Sequence, residues 1–271
     1  MRSSRKLKLV MLTNGNVHGI RILEGLKAAD INLDAVVLET KDSVFDHLYK
    51  SKQHYIIRLA KAIKRYLLSI KATRQVERQF SQYSNVTRGG ALNSKEMCAA
   101  LESIKPDLIV LGGIGIISNE IIKIPKFGVL NGHPGLLPWL RGTGVVGRAI
   151  ERQIAIGATC HFVDCKVDTG NIIERRLLPL SEKYYSLPEL ELEADKLAST
   201  MMVKLIEMIV RENKVPKSYE QTEKFVVCKW MTEEEKARLS KPLANLLPRY
   251  LFKKWTNNCI DQIEYKLRID I

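Results

Sequence analysis

Apolar positions change period twice within the first forty residues. Residues 6–13 hold a short apolar run, residues 17–29 space Ile20, Leu23 and Leu26 three apart, and residues 34–38 (DAVVL) return to a run. Short apolar runs between polar turns predict strands, and three- and four-residue spacing predicts a helix, so the chain opens as β-α-β. Residues 50–78 carry Ile56, Leu59, Ile63, Leu67 and Ile70 at helical spacing among Lys52, Arg58, Lys61, Lys64, Arg65, Lys71 and Arg74, which predicts a basic amphipathic helix. Further on, the pattern predicts a strand near 84–88 and a helix from an N-cap at Ser94 to residue 104. The uninterrupted run in PDLIVLGG (106–113) fits a strand buried on both faces of a parallel sheet. A short helix or turn at 121–124, a strand at 128–131 and a helix at 145–152 follow. Strands at 158–163 and 172–178 and a long helix at 188–211 complete the ordered pattern. From Lys214 the chain reads as polar and irregular before an amphipathic tail, LANLLPRYLFKKW.

Alternating strands and helices predict an α/β fold with a doubly wound, mostly parallel sheet, whose ligands bind outside the carboxyl ends of the strands. The expected division is a domain over 1–212, with 41–83 as a basic helical insert, and a helical or irregular extension over 213–271. A chain of 271 residues is long enough for this arrangement. Its net charge of +13 points to an anionic partner: nucleic acid, a membrane surface or a phosphorylated or polyglutamylated small molecule. The apolar run at 9–12 falls short of a signal-peptide core, and no stretch approaches a membrane span, so the expected location is cytoplasmic. The five cysteines, Cys98, Cys160, Cys165, Cys228 and Cys259, are scattered without a C-x-x-C pair, which argues against a disulfide framework or a zinc site.

Candidate chemistry gathers in two short stretches. In NGHPGLLP (131–138), Asn131 and His133 stand at a strand end and, two residues apart, face the same way. A histidine there serves as a base or donates to developing charge, and a neighbouring amide suits an oxyanion on a carbonyl undergoing addition. In DCKVDTGNII (164–173), Asp168 lies on a polar loop between two apolar strands, where a carboxylate would orient His133. Asp164 competes for that role. His161, within ATCHFV, either backs this cluster or is a hydrogen-bonded core residue. No serine or cysteine is placed for activation by these groups, so the nucleophile comes with the substrate. Gly15 and Gly19 in TNGNVHG open a helix after the first strand, but the G-x-G-x-x-G spacing of a dinucleotide site is missing.

Taken together, PDLIVLGG, NGHPGLLP, IGATCHFVD and VDTGNII resemble the folate-dependent formyltransferase family, which includes glycinamide ribonucleotide, methionyl-tRNA and nucleotide-sugar N-formyltransferases. The resemblance is densest over 104–180. It implies a Rossmann-like fold and the donor 10-formyltetrahydrofolate, with no metal. Asn131 would hold the formyl oxygen, His133 would move a proton and steady the developing charge, and Asp168 would support His133. Gly115, Ile116, Ile117 and Ser118, with Val163, Asp164 and Val167, would line the pterin pocket. The sequence departs from the family at Gly135, where a small polar residue is usual, and at Val145, where proline is usual. The expected acceptor is the amine of a small phosphorylated molecule such as a nucleotide-linked amino sugar. A methionyl-tRNA acceptor, a 10-formyltetrahydrofolate hydrolase and a non-catalytic polyanion-binding module are the alternatives, and homo-oligomerisation is left open.

Overall fold

The structure is a computed structural model that describes residues 6–40, 74–152, 154–179, 186–222 and 225–239. The insert expected at 41–83 lies outside the described residues as far as 73, and residues 74–80 are helical.

The chain divides into two compact units. The first comprises Met1–Leu130 with Ile206–Val215, and the second Asn131–Leu205 with Pro216–Ile271. In the first, β1 (Leu9–Thr13) is buried at all five positions and leads into helix α1 (Val17–Ala28) and then β2 (Ala35–Glu39). Asn16 starts α1 by accepting a hydrogen bond from the Gly19 amide, the capping bond that a free helix N-terminus needs. Strand β3 (Val86–Gly90) precedes α2 (Lys95–Ile104), which Ser94 caps through the Met97 amide as its position before the apolar spacing predicts. Strand β4 (Leu108–Leu111) is fully buried, as its unbroken apolar run requires, and α3 (Asn119–Ile122) is a single turn.

Strand β5 (Val129–His133) runs from the first unit into the second. In the second unit lie α4 (Val145–Glu151), β6 (Gly157–Phe162), β7 (Ile172–Leu177) and α6 (Glu233–Leu239). Helix α5 (Leu187–Glu212) begins in the second unit and ends in the first. Strand order is β3-β2-β1-β4-β5-β6-β7. The pairs β1·β2, β1·β4, β2·β3 and β4·β5 are parallel, while β6·β7 is antiparallel.

This is the mostly parallel doubly wound fold that the alternation predicts, with element ends displaced by up to three residues. One difference matters. β5 continues through His133, so Asn131 and His133 lie within the strand rather than in the loop after it. The expected helical or irregular extension contains α6, whose Leu239 joins Leu136, Leu140, Val146, Ala149, Ile156, Leu190 and Met231 in the apolar core of the second unit.

Candidate active site

His133 closes β5 and is 4% exposed. Its Nε2 lies 2.7 Å from the carbonyl oxygen of Leu140. A carbonyl only accepts, so Nε2 carries the proton and donates it. The remaining nitrogen, Nδ1, faces Oδ2 of Asp168 at 3.7 Å. Nδ1 is therefore the ring position at which a proton is gained or released, with a carboxylate alongside. Gly135 makes this geometry fit. A Cβ there would stand 2.9 Å from both His133 Nε2 and the Leu140 oxygen, inside the bond that orients the ring.

Asp168 has φ 51°, an uncommon conformation for a residue with a side chain, and three contacts stabilise it there. Oδ2 accepts from the Gly142 amide at 2.8 Å. Gln221 Nε2 donates to the Asp168 carbonyl at 3.1 Å and to the Gly170 carbonyl at 2.7 Å. Gly142 itself has φ 91°, and a Cβ there would collide with the Cys228 carbonyl, so the donor to Asp168 needs glycine. Asp164, the competing acid, is occupied elsewhere: its Oδ1 accepts from Thr169 Oγ1 at 2.5 Å and from the Lys166 amide at 3.1 Å, shaping the loop.

His161 belongs to this cluster. The β6·β7 register shifts between Cys160 and His161, and such irregularities re-aim a side chain. Its Nδ1 donates to the Phe162 carbonyl at 2.7 Å, which leaves Nε2 as an acceptor. Nε2 accepts from Asn131 Nδ2 at 3.2 Å and lies 3.6 Å from Asp168 Oδ1. The amide orientation of Asn131 follows, because only its nitrogen can face that lone pair, and its second N–H remains for a substrate. Burial pushes the His161 imidazole down to about 4, Asp168 opposing and His133 adding to the effect, so the ring is neutral near pH 7. Cys160 is fully buried and its thiol is pushed up to about 12 by that burial, which removes it as a nucleophile.

The structure thus brings together three residues singled out from sequence, Asn131, His133 and Asp168, and adds His161 as the link between the amide and the carboxylate. Gly142 and Gln221 carry no local sequence signal: one donates from its backbone, and the other lies 53 residues beyond Asp168. Of the residues matched to a pterin pocket, Gly115, Ile116, Ile117 and Ser118 lie in the first unit. Asn93 clamps that loop, donating to the Ile116 carbonyl at 2.9 Å and accepting from the Ser118 amide at 2.7 Å. Val163, Asp164 and Val167 flank Asp168 in the second unit, half-buried on its loop.

A family model described as formyl transferase matches residues 7–206. A methionyl-tRNA formyltransferase of Thermotoga neapolitana is 28% identical over 121 residues, 44% of this chain and 38% of that protein. The chain thus matches about two fifths of the length of that curated relative. Among solved structures, a sugar N-formyltransferase from Shewanella has a TM-score of 0.55 at 15% identity, covering 81% of this chain and 76% of that one. The formyltransferase PseJ from Anoxybacillus kamchatkensis, solved with UDP-4,6-dideoxy-4-formamido-L-AltNAc and tetrahydrofolate, has a TM-score of 0.50 at 20% identity over 65% of this chain and 94% of that one. The structural likenesses reflect the shared fold, and the family model covers most of the sequence: this chain belongs to the formyl transferase family.

Proposed function

We propose that the protein transfers a formyl group from 10-formyltetrahydrofolate to the primary amine of a small phosphorylated acceptor, such as a nucleotide-linked amino sugar. The observation that carries this reading is the Asn131–His161–Asp168–His133 cluster, in which the Asn131 amide, the two imidazoles and the Asp168 carboxylate are linked in series at 3.2, 3.6 and 3.7 Å. That donor set fits a formyl carbonyl under attack by an amine. The donor supplies the activated formyl carbon. Asn131 Nδ2 donates to the oxygen on which negative charge develops, the role that a preorganised amide performs best in a buried site. The acceptor nitrogen loses a proton as its bond to carbon forms, and His133 Nδ1 receives it beside Asp168. The departing folate nitrogen takes up a proton as its bond to carbon breaks, which restores His133 and balances the exchange. We assign the loop of Val163, Asp164 and Val167, beside Asp168, to recognition of the donor's pterin.

A net charge of +13 favours anionic substrates. Methionyl-tRNA is the second reading, because the curated relatives carry that name. The two separate in one assay of tetrahydrofolate release against nucleotide amino sugars, methionyl-tRNA and no amine. Release with an amino sugar supports the proposal. Release with methionyl-tRNA that falls steeply with salt supports the second reading. Release without an amine makes the enzyme a hydrolase. Asn131→Ala, His133→Ala and Asp168→Ala should each lower the rate by about two orders of magnitude or more while keeping the fold. Wild-type turnover in His133→Ala overturns the reading.

A further inference from the structure

Three buried side-chain polar atoms have no hydrogen-bond partner among the described residues: Thr40 Oγ1, Arg141 Nε and Gln221 Oε1. Two of them sit on the segments that hold Asp168. Gln221 grips its loop by the amide nitrogen, and Arg141 immediately precedes the Gly142 amide that binds its carboxylate. On the other side of Arg141, the Leu140 carbonyl holds His133.

Among the described residues, Arg141 makes its hydrogen bonds through its backbone. Its carbonyl accepts from the Cys228 amide at 2.7 Å, and the Cys228 carbonyl in turn accepts from the Thr143 amide at 3.1 Å, which makes residues 141–143 a stiff strap. The guanidinium has no hydrogen bond or ion pair with any described residue. Other arginines of the same unit contrast with it. Arg148 pairs with Glu151 and Glu235, Arg176 with Glu174, and Arg175 donates to the Leu137 carbonyl and stacks on Trp139. Burying a guanidinium N–H without an acceptor is unfavourable, and a fold retains such a group where a ligand completes it. Nε–H and the adjacent Nη–H form a planar two-pronged edge that matches the oxygens of phosphate or carboxylate.

We propose that Arg141 recognises the acceptor, gripping its phosphate-type anionic group one residue away from the contacts that orient His133 and Asp168. The inference rests on the formyl-transfer reading for the word acceptor, and on geometry alone for the anion. It makes Arg141 a specificity residue: amines bearing a phosphate are held at the reacting carbon, and neutral amines are not. The glutamyl carboxylates of the donor share the same chemistry, so the test separates the two sources.

The probe is inorganic pyrophosphate, titrated by calorimetry into wild type, Arg141→Lys and Arg141→Gln, with tetrahydrofolate titrated in parallel. Saturable pyrophosphate binding to wild type, weakened tenfold or more in Arg141→Gln and less in Arg141→Lys, is the expected result. Tetrahydrofolate affinity should stay within twofold across all three proteins. The thermal midpoint of Arg141→Gln should be equal or higher, since a buried Nε–H with no acceptor among the described residues has been removed; a structural arginine would lower it. Equal pyrophosphate binding in wild type and Arg141→Gln, or none in either, overturns the proposal. So does a tenfold loss of tetrahydrofolate affinity with pyrophosphate binding intact, which would give Arg141 to the donor. Neither titration requires turnover, so failure of the formyl-transfer assay leaves this result separately readable. With an amine that does turn over, Arg141→Gln should raise the acceptor KM at least tenfold and leave the donor KM unchanged.

Discussion

Acidification should weaken this protein through His161, by an amount that the structure allows to be estimated. The ring is 1% exposed, donates from Nδ1 to the Phe162 carbonyl and accepts at Nε2 from Asn131. A second proton would have to enter at Nε2, against the Asn131 N–H and without solvent. Burial accordingly moves the group from 6.5 to about 4, with His133 acting in the same direction and Asp168 and Asp164 against it. In the unfolded chain the ring titrates near 6.5. As pH falls below that value the unfolded state takes up a proton that the folded state refuses, so the contribution is fully present above about 6.5 and is lost between 6.5 and 4. At about 1.4 kcal/mol per unit, the shift corresponds to about 3 kcal/mol. Urea unfolding of wild type and His161→Gln at steps from pH 7 to pH 4 isolates it, because every other titratable group is common to both proteins. The wild type should lose about 3 kcal/mol more than the variant over this range. Parallel stability curves, or a His161 ring resonance that titrates above pH 6, would refute the reasoning.

Gly135→Ser restores the residue type usual in the family, yet here its Cβ would stand 2.9 Å from His133 Nε2 and from the Leu140 carbonyl. Overpacking at such a site costs about 1–3 kcal/mol, and the displaced ring should lower turnover at least tenfold in steady-state kinetics. Wild-type rates would show that the Leu140 bond does not orient His133. Gln221→Leu removes the two hydrogen bonds that Gln221 Nε2 donates to the Asp168 and Gly170 carbonyls. It should destabilise the protein by about 1–3 kcal/mol in thermal unfolding and speed amide exchange across residues 164–170. Unchanged exchange there would mean that the Gly142 contact alone holds the loop.

The sequence by itself determined the described elements and marked the polar residues that the fold gathers. Unbroken apolar runs such as LIVL (108–111), the caps at Asn16 and Ser94, and three-residue spacing in α1 are local signals, and local backbone preference decides them. Asn131, His133 and Asp168 were legible because a polar pair at a strand end and an acid in a polar loop stand out against apolar surroundings. Tertiary structure decided what these groups touch. His161 reads equally well as core, and the fold sets it beside Asn131 and Asp168, next to a register shift in the β6·β7 pairing. The protonated nitrogen of His133 depends on a carbonyl seven residues away, the φ of Asp168 on a glutamine 53 residues away, and the need for glycine at 135 on a ring that the chain must fold to bring near. Hydrogen bonds between distant segments leave no period in a sequence; they exist only once packing has placed donor opposite acceptor.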